Sequence, residues 1–171
     1  HFPDDHRRRR EYVKLLLDER RFQAAAEEVR MLLPLDGETE GLRRLLAYCL
    51  RESSKFREAA VIYRRLLKEH PESDFYLRSL AYCIERSGNT EGAAKLLKRG
   101  FAYKQPRAGT RLILGSLLVR TGAHEEALTV FRKVLEEKPN EWRAYQQMAE
   151  IYRARGVTEM ADRYDERSEK Y

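Results

Sequence analysis

A period of 34 residues runs through the whole chain and constrains its fold more than any other feature. The segments 46–50 and 80–84 read LAYCL and LAYCI, and their cysteines lie 34 residues apart. The same step connects a column of alanines without an insertion: Ala25, Ala59, Ala93, Ala127 and Ala161. Self-similarity at a fixed period of about 20–50 residues indicates a stack of similar supersecondary units, each burying a face against its neighbours.

Each unit contains two apolar stripes at helical spacing, separated by a short polar turn. Gly88, Gly122 and Gly156 recur in the turn, and Pro71 and Pro139 recur near the unit ends. Two further columns lie in the first stripe, one large and one small: Tyr12, Leu46, Leu80, Leu114 and Met148; Val13, Ala47, Ala81, Gly115 and Ala149. This pattern predicts a helix, a turn and a second helix, because small residues allow two antiparallel helices to approach closely.

At this period the sequence resembles the tetratricopeptide repeat family, whose 34-residue unit has a large-small-large pattern in its first helix and an alanine in its second. The copy that fits this pattern most closely is Leu114, Gly115, Leu118, Gly122, Ala127, Phe131 and Pro139. The chain departs from the family where an aromatic residue is usual early in the first helix. Arg9, Arg43 and Arg111 stand there in three units, with Leu77 and Tyr145 in the others, and we expect weaker local packing.

We therefore predict an all-α fold, an α-solenoid that forms a right-handed superhelix of five helix-turn-helix units. Residues 1–5 are expected to be an N-terminal tail, and residues 6–171 a single array with units starting near 6, 40, 74, 108 and 142. The second helix of the last unit carries Asp165, Ser168 and Glu169 where earlier units are apolar. We interpret that helix as a polar cap.

Composition narrows the class of protein but does not identify its cellular compartment. With 42% hydrophobic and 36% charged residues, the chain has enough apolar material for one folded domain. No apolar run approaches the roughly 20 residues that a membrane-spanning helix needs, so we expect a soluble protein without membrane insertion. The cytoplasm is favoured without the compartment being fixed. The chain opens at His1 and not at methionine, which leaves open that it is a segment of a longer or processed protein.

The residues give no pattern for catalysis, a cofactor or a metal. The four histidines share no ligand spacing, and the chain has neither a phosphate-cradling glycine loop nor a nucleophile elbow. We expect a protein that is not an enzyme. Cys49 and Cys83 occupy equivalent positions of successive units, and we expect both to be buried free thiols.

The family resemblance implies that the stacked first helices line a concave groove that receives a peptide or a helix. Transferred position by position, it gives these partner-binding candidates: Arg10, Arg44, Tyr48, Phe75, Arg78, Tyr82, Arg86, Leu112, Ile113, Val119 and Arg120. Other residues expected to line the groove are Lys14, Arg51, Ser116, Gln146, Gln147 and Arg153. Basic side chains outnumber acidic ones along it.

Two parts of this groove carry alternatives. Arg10, Arg44 and Arg78 form a ladder beside tyrosines, which suits a carboxylate-bearing peptide; equally, these arginines could pair with carboxylates of the chain itself. The stretch 112–119 is apolar almost all round its helix, and Leu112, Ile113 and Val119 are expected to project into the groove. We favour an exposed interface patch, formed together with Phe75 and Tyr82, over core packing.

These observations favour a non-enzymatic scaffold that binds an acidic and apolar peptide or amphipathic helix, as an assembly, secretion or chaperone-type adaptor. The alternative is a polyanion, either nucleic acid or an acidic polysaccharide during export, held by the basic groove. Nucleic acid is disfavoured because the net charge is only +6 and acidic residues are interspersed with basic ones. We expect a monomer, with dimerisation through the apolar patch as the alternative.

Overall fold

The computed structural model describes residues 3–37, 39–101 and 105–171, with side chains described from His6 onward. Within these ranges all regular secondary structure is α-helix, and there is no strand. The ten helices are α1 Pro3–Asp18, α2 Phe22–Asp36, α3 Glu40–Glu52, α4 Phe56–Glu69, α5 Asp74–Arg86, α6 Thr90–Gly100, α7 Ala108–Arg120, α8 His124–Glu137, α9 Trp142–Ala154 and α10 Thr158–Glu169. The prediction of an all-α solenoid of five helix-turn-helix units is confirmed.

The first helices of the later units follow the period of the sequence. Helices α3, α5, α7 and α9 begin 34 residues apart, at Glu40, Asp74, Ala108 and Trp142. Helix α1 begins at Pro3, so residues 3–5 are helical and do not form the expected tail. His1 and Phe2 lie outside the described residues.

The chain divides into two compact units, unit 1 at His1–Gly88 and unit 2 at Asn89–Tyr171. In unit 1, each of the helices α1 to α4 packs against the next one along the chain. In unit 2, helices α6 to α10 pack in the same sequential way, and α7 also contacts α9. Antiparallel neighbours joined by short turns are the expected arrangement for a helical repeat.

The small-residue columns mark the closest helix contacts. The alanine column is buried throughout, because Ala25, Ala59, Ala93 and Ala127 are 0% exposed and Ala161 is 1% exposed. In unit 2, Gly115 of α7 lies directly against the ring of Phe131 of α8, and a Cβ atom at Gly115 would overlap that ring. Gly115 therefore belongs to the packing of the α7–α8 hairpin.

The arginines that replace the family's aromatic residue cross their hairpins as ion pairs. Arg43 of α3 donates two hydrogen bonds to Glu69 of α4, at 2.5 and 2.7 Å, and Arg111 of α7 forms an ion pair with Glu137 of α8. The Arg43 hydrogen bond holds the pKa of Glu69 below its ordinary value. Ion pairs thus link the helices where weaker packing was expected, and the pair of Arg43 with Glu69 is bidentate because a guanidinium matches a carboxylate fork.

A second pair of ionic contacts joins successive second helices. Arg30 of α2 reaches Glu58 of α4 at 2.5 Å in unit 1, and Lys98 of α6 reaches Glu126 of α8 at 2.6 Å in unit 2. The two contacts are offset by 68 residues, which is two repeats. The intermediate register carries Gly92 in place of the carboxylate.

The turn inside each unit uses a left-handed residue. Arg21 N donates to Leu16 O at 2.8 Å, and Lys55 N donates to Leu50 O at 2.8 Å, which closes the first helix by the Schellman pattern. The residue before each donor has positive φ. These residues, with φ in degrees, are Arg20 at 57, Ser54 at 63, Gly88 at 93, Gly122 at 77 and Gly156 at 75.

The two cysteines are free and buried, which confirms the prediction. Burial raises the pKa of both Cys49 and Cys83 from 9.0 to about 11. In the last helix, α10, Ala161 is the one fully buried residue. That α10 acts as a polar cap stays a prediction. No helix within the described ranges is long and apolar enough to cross a membrane.

Candidate protein-binding face

The most organised group of aromatic and charged side chains in unit 1 surrounds Arg51, near the end of α3. The guanidinium carbon of Arg51 lies 5.2 Å from the ring centre of Tyr48 and 5.9 Å from that of Tyr82, on α5. Arg51 also donates to Glu52 through Nε at 2.9 Å. Its charge is therefore held between two aromatic rings and one carboxylate, a cation–π arrangement worth about 0.5–1 kcal/mol per ring at an exposed site.

Each tyrosine of this group is supported by a phenylalanine from a second helix. Phe22 of α2 meets Tyr48 edge to face, with ring centres 5.7 Å apart, and Phe56 of α4 meets Tyr82 in the same way at 6.0 Å. We call these five residues, Tyr48, Tyr82, Arg51, Phe22 and Phe56, the tyrosine–arginine cluster. Edge-to-face pairs favour one ring orientation, so Phe22 and Phe56 hold the two tyrosine rings in place.

Part of the cluster remains accessible. Tyr82 is 44% exposed, and Tyr48 and Arg51 are half-buried. Arg86, at the end of α5, places its guanidinium carbon 5.3 Å from the ring centre of Phe56. The cluster thus presents ring surface and cationic groups to solvent on one side of unit 1.

The arginine ladder is already engaged with carboxylates of the chain. Arg10 of α1 donates through Nε to Asp36 at 2.9 Å, and Nε of Arg78 lies 2.9 Å from an oxygen of Asp74. Hydrogen bonds from His6 and Arg10 lower the pKa of Asp36. For these two arginines the structure favours pairing within the chain over an open site for a partner's carboxylate.

The third arginine of the ladder lies beside a different acidic group. Arg44 is exposed on α3, and its charge acts on both Glu40 and Tyr76. The Tyr76 hydroxyl donates to Glu40 and so lowers the pKa of that carboxyl. Phe75, the next candidate, is 45% exposed and packs its edge on Tyr76 at 5.5 Å.

Two open pockets lie at equivalent places beside the cluster. One, of about 460 Å³, includes Phe22 in its lining, and the other, of about 380 Å³, includes Phe56 and Arg86. Their linings correspond residue for residue at a 34-residue offset, except for Glu27. In the described part of the chain, no group of three or more histidine, cysteine or acidic side chains is placed to hold a metal.

The unit 2 candidates all lie on α7. Leu112, Ile113 and Val119 are half-buried, and Arg120 is exposed. Around them α7 buries most of its remaining apolar side chains. The three apolar candidates are thus neither sealed in the core nor fully open, and their role as an interface patch stays a prediction.

Two members of the cluster were absent from the sequence-based site. Phe22 and Phe56 lie on second helices, whereas the candidates were drawn from first helices. A signal for them exists, because they are 34 residues apart and each precedes its tyrosine by 26 residues. Arg51 was expected to line the groove, but no pattern in the sequence indicates that it lies between two tyrosine rings.

Comparisons with known proteins agree on the fold. No curated protein sequence matches the chain significantly. Among solved structures, "Crystal structure of MamA" superposes with a TM-score of 0.81 at 18% identity, covering 92% of each chain. "MamA 41-end from Desulfovibrio magneticus RS-1" superposes with a TM-score of 0.82 at 12% identity, covering 99% of this chain and 96% of that one.

A third solved structure is described as "YrrB: a TPR protein with an unusual peptide-binding site". It superposes with a TM-score of 0.72 at 18% identity, covering 92% of this chain and 81% of that one. The sequence profile of the tetratricopeptide repeat matches residues 44–105 and 87–141, which together make up more than half of the chain. With the period, the paired helices and the buried alanine column, this match shows that the chain belongs to the tetratricopeptide repeat family.

Proposed function

We propose that this chain is a non-enzymatic scaffold that binds a peptide or an amphipathic helix through the tyrosine–arginine cluster of unit 1. The observation that carries the proposal is the position of Arg51 between Tyr48 and Tyr82, with Tyr82 44% exposed. Tyrosine and arginine are enriched among the residues that dominate binding energy at interfaces. Rings that are already oriented lose little side-chain entropy when a partner binds.

The family supports binding over catalysis as the general role. Tetratricopeptide repeat proteins are generally scaffolds, and the solved YrrB structure is described as having a peptide-binding site. An adaptor role in assembly, secretion or chaperoning suits such a surface. In unit 2, the half-buried apolar side chains Leu112, Ile113 and Val119 on α7 offer a separate aliphatic surface for an apolar segment.

The partner's acidic groups have a secondary part in this proposal. A partner carboxylate at Arg10 or Arg78 has to compete with Asp36 or Asp74, which already occupy those guanidinium groups. We therefore expect the aromatic contacts to determine the dissociation rate. The charges should mainly determine the association rate and its salt dependence. The partner class is an apolar or aromatic segment flanked by acidic residues.

The same ion pairs weigh against the polyanion alternative. A polyanion binds by neutralising its phosphates or sulfates with open cations, which gives a steep salt dependence. In unit 1, Arg10, Arg78 and Arg51 each already contact a carboxylate of the chain. We therefore prefer a peptide to a nucleic acid or an acidic polysaccharide.

The test begins with peptides selected from a phage-displayed random library on the purified chain. Their affinity is then measured by fluorescence anisotropy against variants. We expect Tyr82→Ala to weaken binding at least about tenfold and Tyr82→Phe to stay close to wild type, because the ring is retained. Val61→Ala is the matched control, since Val61 is 49% exposed on α4 and outside the cluster.

Two results would contradict the proposal. Equal binding of the selected peptides by wild type and Tyr82→Ala would remove the cluster as the binding site. Tight, strongly salt-dependent binding of heparin or of a single-stranded oligonucleotide, with no selected peptide, would favour the polyanion.

A further inference from the structure

Helix α4 carries a row of basic side chains on the side away from its buried residues. Arg57, Arg64 and Lys68 are separated by seven and four residues, which places them along one helix face, and Arg65 borders that face. All four side chains are exposed. We call Arg57, Arg64, Arg65 and Lys68 the α4 basic face. It is a single strip of positive charge, one helix wide.

The acidic residues of α4 do not balance this face, because both are engaged by other helices. Glu58 pairs with Arg30 of α2 at 2.5 Å, and Glu69 pairs with Arg43 of α3 at 2.5 Å. Within the part of the chain that the structure describes, no side chain of the α4 basic face has an ion pair or a hydrogen bond with a carboxylate. Its four cations therefore lack a neutralising partner there.

The arrangement of these charges opposes the stability of α4. Lys68 follows Arg64 by four residues and Arg65 by three, and like charges at those spacings repel each other. Arg57 lies in the first turn of α4, where the helix dipole disfavours a cation. The equivalent positions of α2 carry Gln23, Arg30, Met31 and Pro34. The repeat therefore does not require the charges, and a partner of opposite charge would remove the repulsion.

A cationic pocket lies at one end of the α4 basic face. Arg57 lines the open pocket of about 380 Å³ together with Lys55 and Arg86. The acidic residue of its lining, Glu58, is already held in an ion pair with α2. Phe56, a member of the tyrosine–arginine cluster, also lines the pocket and lies under the guanidinium of Arg86. The pocket thus connects the cluster with the α4 basic face.

The equivalent pocket beside Phe22 offers a different charge. Glu52 stands there at the position of Arg86 and pairs with Arg51 at 2.8 Å. Glu27 adds a second carboxylate to that lining. Anionic groups are therefore favoured at the pocket beside Phe56 over this one. The difference gives the path that leaves the cluster a direction, toward α4 and not toward α2.

We propose that the α4 basic face binds an acidic segment of the partner protein, with one carboxylate of that segment in the pocket of Lys55, Arg57 and Arg86. The proposal rests on the function proposed above, because it locates the acidic residues that flank the partner's apolar or aromatic segment. Carboxylates at helical spacing match the row of cations on α4, whose guanidinium groups donate charge-assisted hydrogen bonds.

The width of the basic face favours a single acidic segment over a membrane or a nucleic acid. Helix α2 lies alongside α4, since Arg30 reaches Glu58, and α2 presents the exposed carboxylate of Glu27. A broad anionic surface on α4 would also bring its phosphates against Glu27 and Glu58, and like charges placed together at an interface oppose association. One acidic segment along α4 avoids both carboxylates.

A pair of synthetic peptides tests the location of this surface. The probe consists of alanine and glutamate, with glutamate at every fourth position, and its control carries glutamine in place of glutamate. Each is titrated at low salt into the isotope-labelled full chain, and binding is followed by amide NMR. We expect the glutamate peptide to shift resonances of α4 and of the pocket, and the glutamine peptide to shift none. Shifts that are absent or that centre on another helix would overturn the proposal.

Charge neutralisation tests which cations bind. The variant that combines Arg57→Gln, Arg64→Gln and Lys68→Gln should bind the glutamate peptide about tenfold more weakly, as several exposed charge contacts are lost. The matched control combines Arg99→Gln, Lys133→Gln and Lys138→Gln, which removes the same charge from exposed positions of unit 2 and should leave the affinity within about twofold. Circular dichroism checks that both variants fold. Equal weakening by both would assign binding to net charge and overturn the proposal.

The proposal and the function on which it rests fail in different ways. Tyr82→Ala should weaken the library-selected peptides and leave the glutamate peptide bound to α4. If Tyr82→Ala has no effect on the selected peptides while the glutamate peptide still requires the α4 basic face, only the tyrosine–arginine cluster loses its role. Binding of phosphatidylserine vesicles or of a single-stranded oligonucleotide to the α4 basic face, without binding of the glutamate peptide, would overturn the acidic segment as its occupant.

Discussion

In unit 1, helices α3 and α5 present Tyr48 and Tyr82, whereas the matching positions of α7 and α9 in unit 2 carry Ser116 and Glu150. Unit 1 therefore has an aromatic and cationic surface supported by phenylalanines, and α7 of unit 2 has a half-buried aliphatic one. Both units keep the same buried alanine column. The buried columns that pack the hairpin and the exposed positions on its surface thus vary independently, so one repeat framework carries two chemically different faces.

An acidic substitution on α7 is the strongest test of whether the aliphatic surface of unit 2 binds a partner. If the aliphatic side chains of unit 2 bind a partner, Ile113→Asp should lower the affinity for a selected peptide about 100-fold, because a desolvated anchor is replaced by a charge. Helicity should stay close to wild type by circular dichroism. A folded variant with unchanged affinity would confine binding to the tyrosine–arginine cluster, and a large loss of helicity would return Ile113 to the core.

Alkaline pH should weaken unit 1 through its two thiols. The folded pKa of Cys49 and Cys83 is about 11, above the ordinary 9.0. The contribution of the two protonated thiols to the free energy of unfolding is therefore complete below pH 9 and is lost as pH rises through 11. At pH 10 the loss should be roughly 2–3 kcal/mol for the pair. Urea unfolding at pH 8, 9 and 10 measures it. Cys49→Ala with Cys83→Ala should flatten the decline; an equal decline in that variant would assign it to other groups.

The close approach at Gly115 belongs to the α7–α8 hairpin of unit 2. Gly115→Ala should cost about 1–3 kcal/mol, because the new methyl group overlaps the Phe131 ring. The matched control is Ala81→Gly in the equivalent column of α5, which should cost about 1 kcal/mol from helix propensity and lost packing. Denaturant midpoints compare the two. A Gly115→Ala variant as stable as wild type would mean that α7 and α8 adjust without strain.

The smallest expected effect concerns the turns. Unit 1 holds Arg20 and Ser54 at positive φ as well as Gly88, whereas unit 2 uses glycine at both turns, Gly122 and Gly156. Arg20→Gly or Ser54→Gly should raise the free energy of unfolding by about 0.5–1 kcal/mol, since left-handed geometry strains a side-chain-bearing residue more than glycine's chain entropy costs. Gly122→Ala should act in the opposite direction. Thermal melts that show destabilisation by both glycine substitutions would contradict this reasoning.

The helices were predictable because a 34-residue period repeats the same burial requirement five times. The start of α1 was not, because residues 3–5 belong to no repeated column. Nor was the pairing of Arg43 with Glu69, since a column of arginines does not say which carboxylate faces it across a hairpin. For the same reason the sequence left two interpretations of the arginine ladder open, binding of a partner's carboxylate or pairing within the chain. The contacts of Arg10 and Arg78 favour pairing within the chain.

The 68-residue offset of the contacts Arg30–Glu58 and Lys98–Glu126 has a consequence for how the chain opens. The carboxylate of this register recurs only in alternate repeats, because Gly92 and Met160 stand at the positions between and after. Nearest-neighbour coupling in a repeat protein sets which hairpins unfold together. Amide hydrogen exchange should therefore respond only slightly to this contact: Glu58→Gln should speed exchange in α2 and α4 by about fivefold at most, because an exposed ion pair is worth about 0–1 kcal/mol.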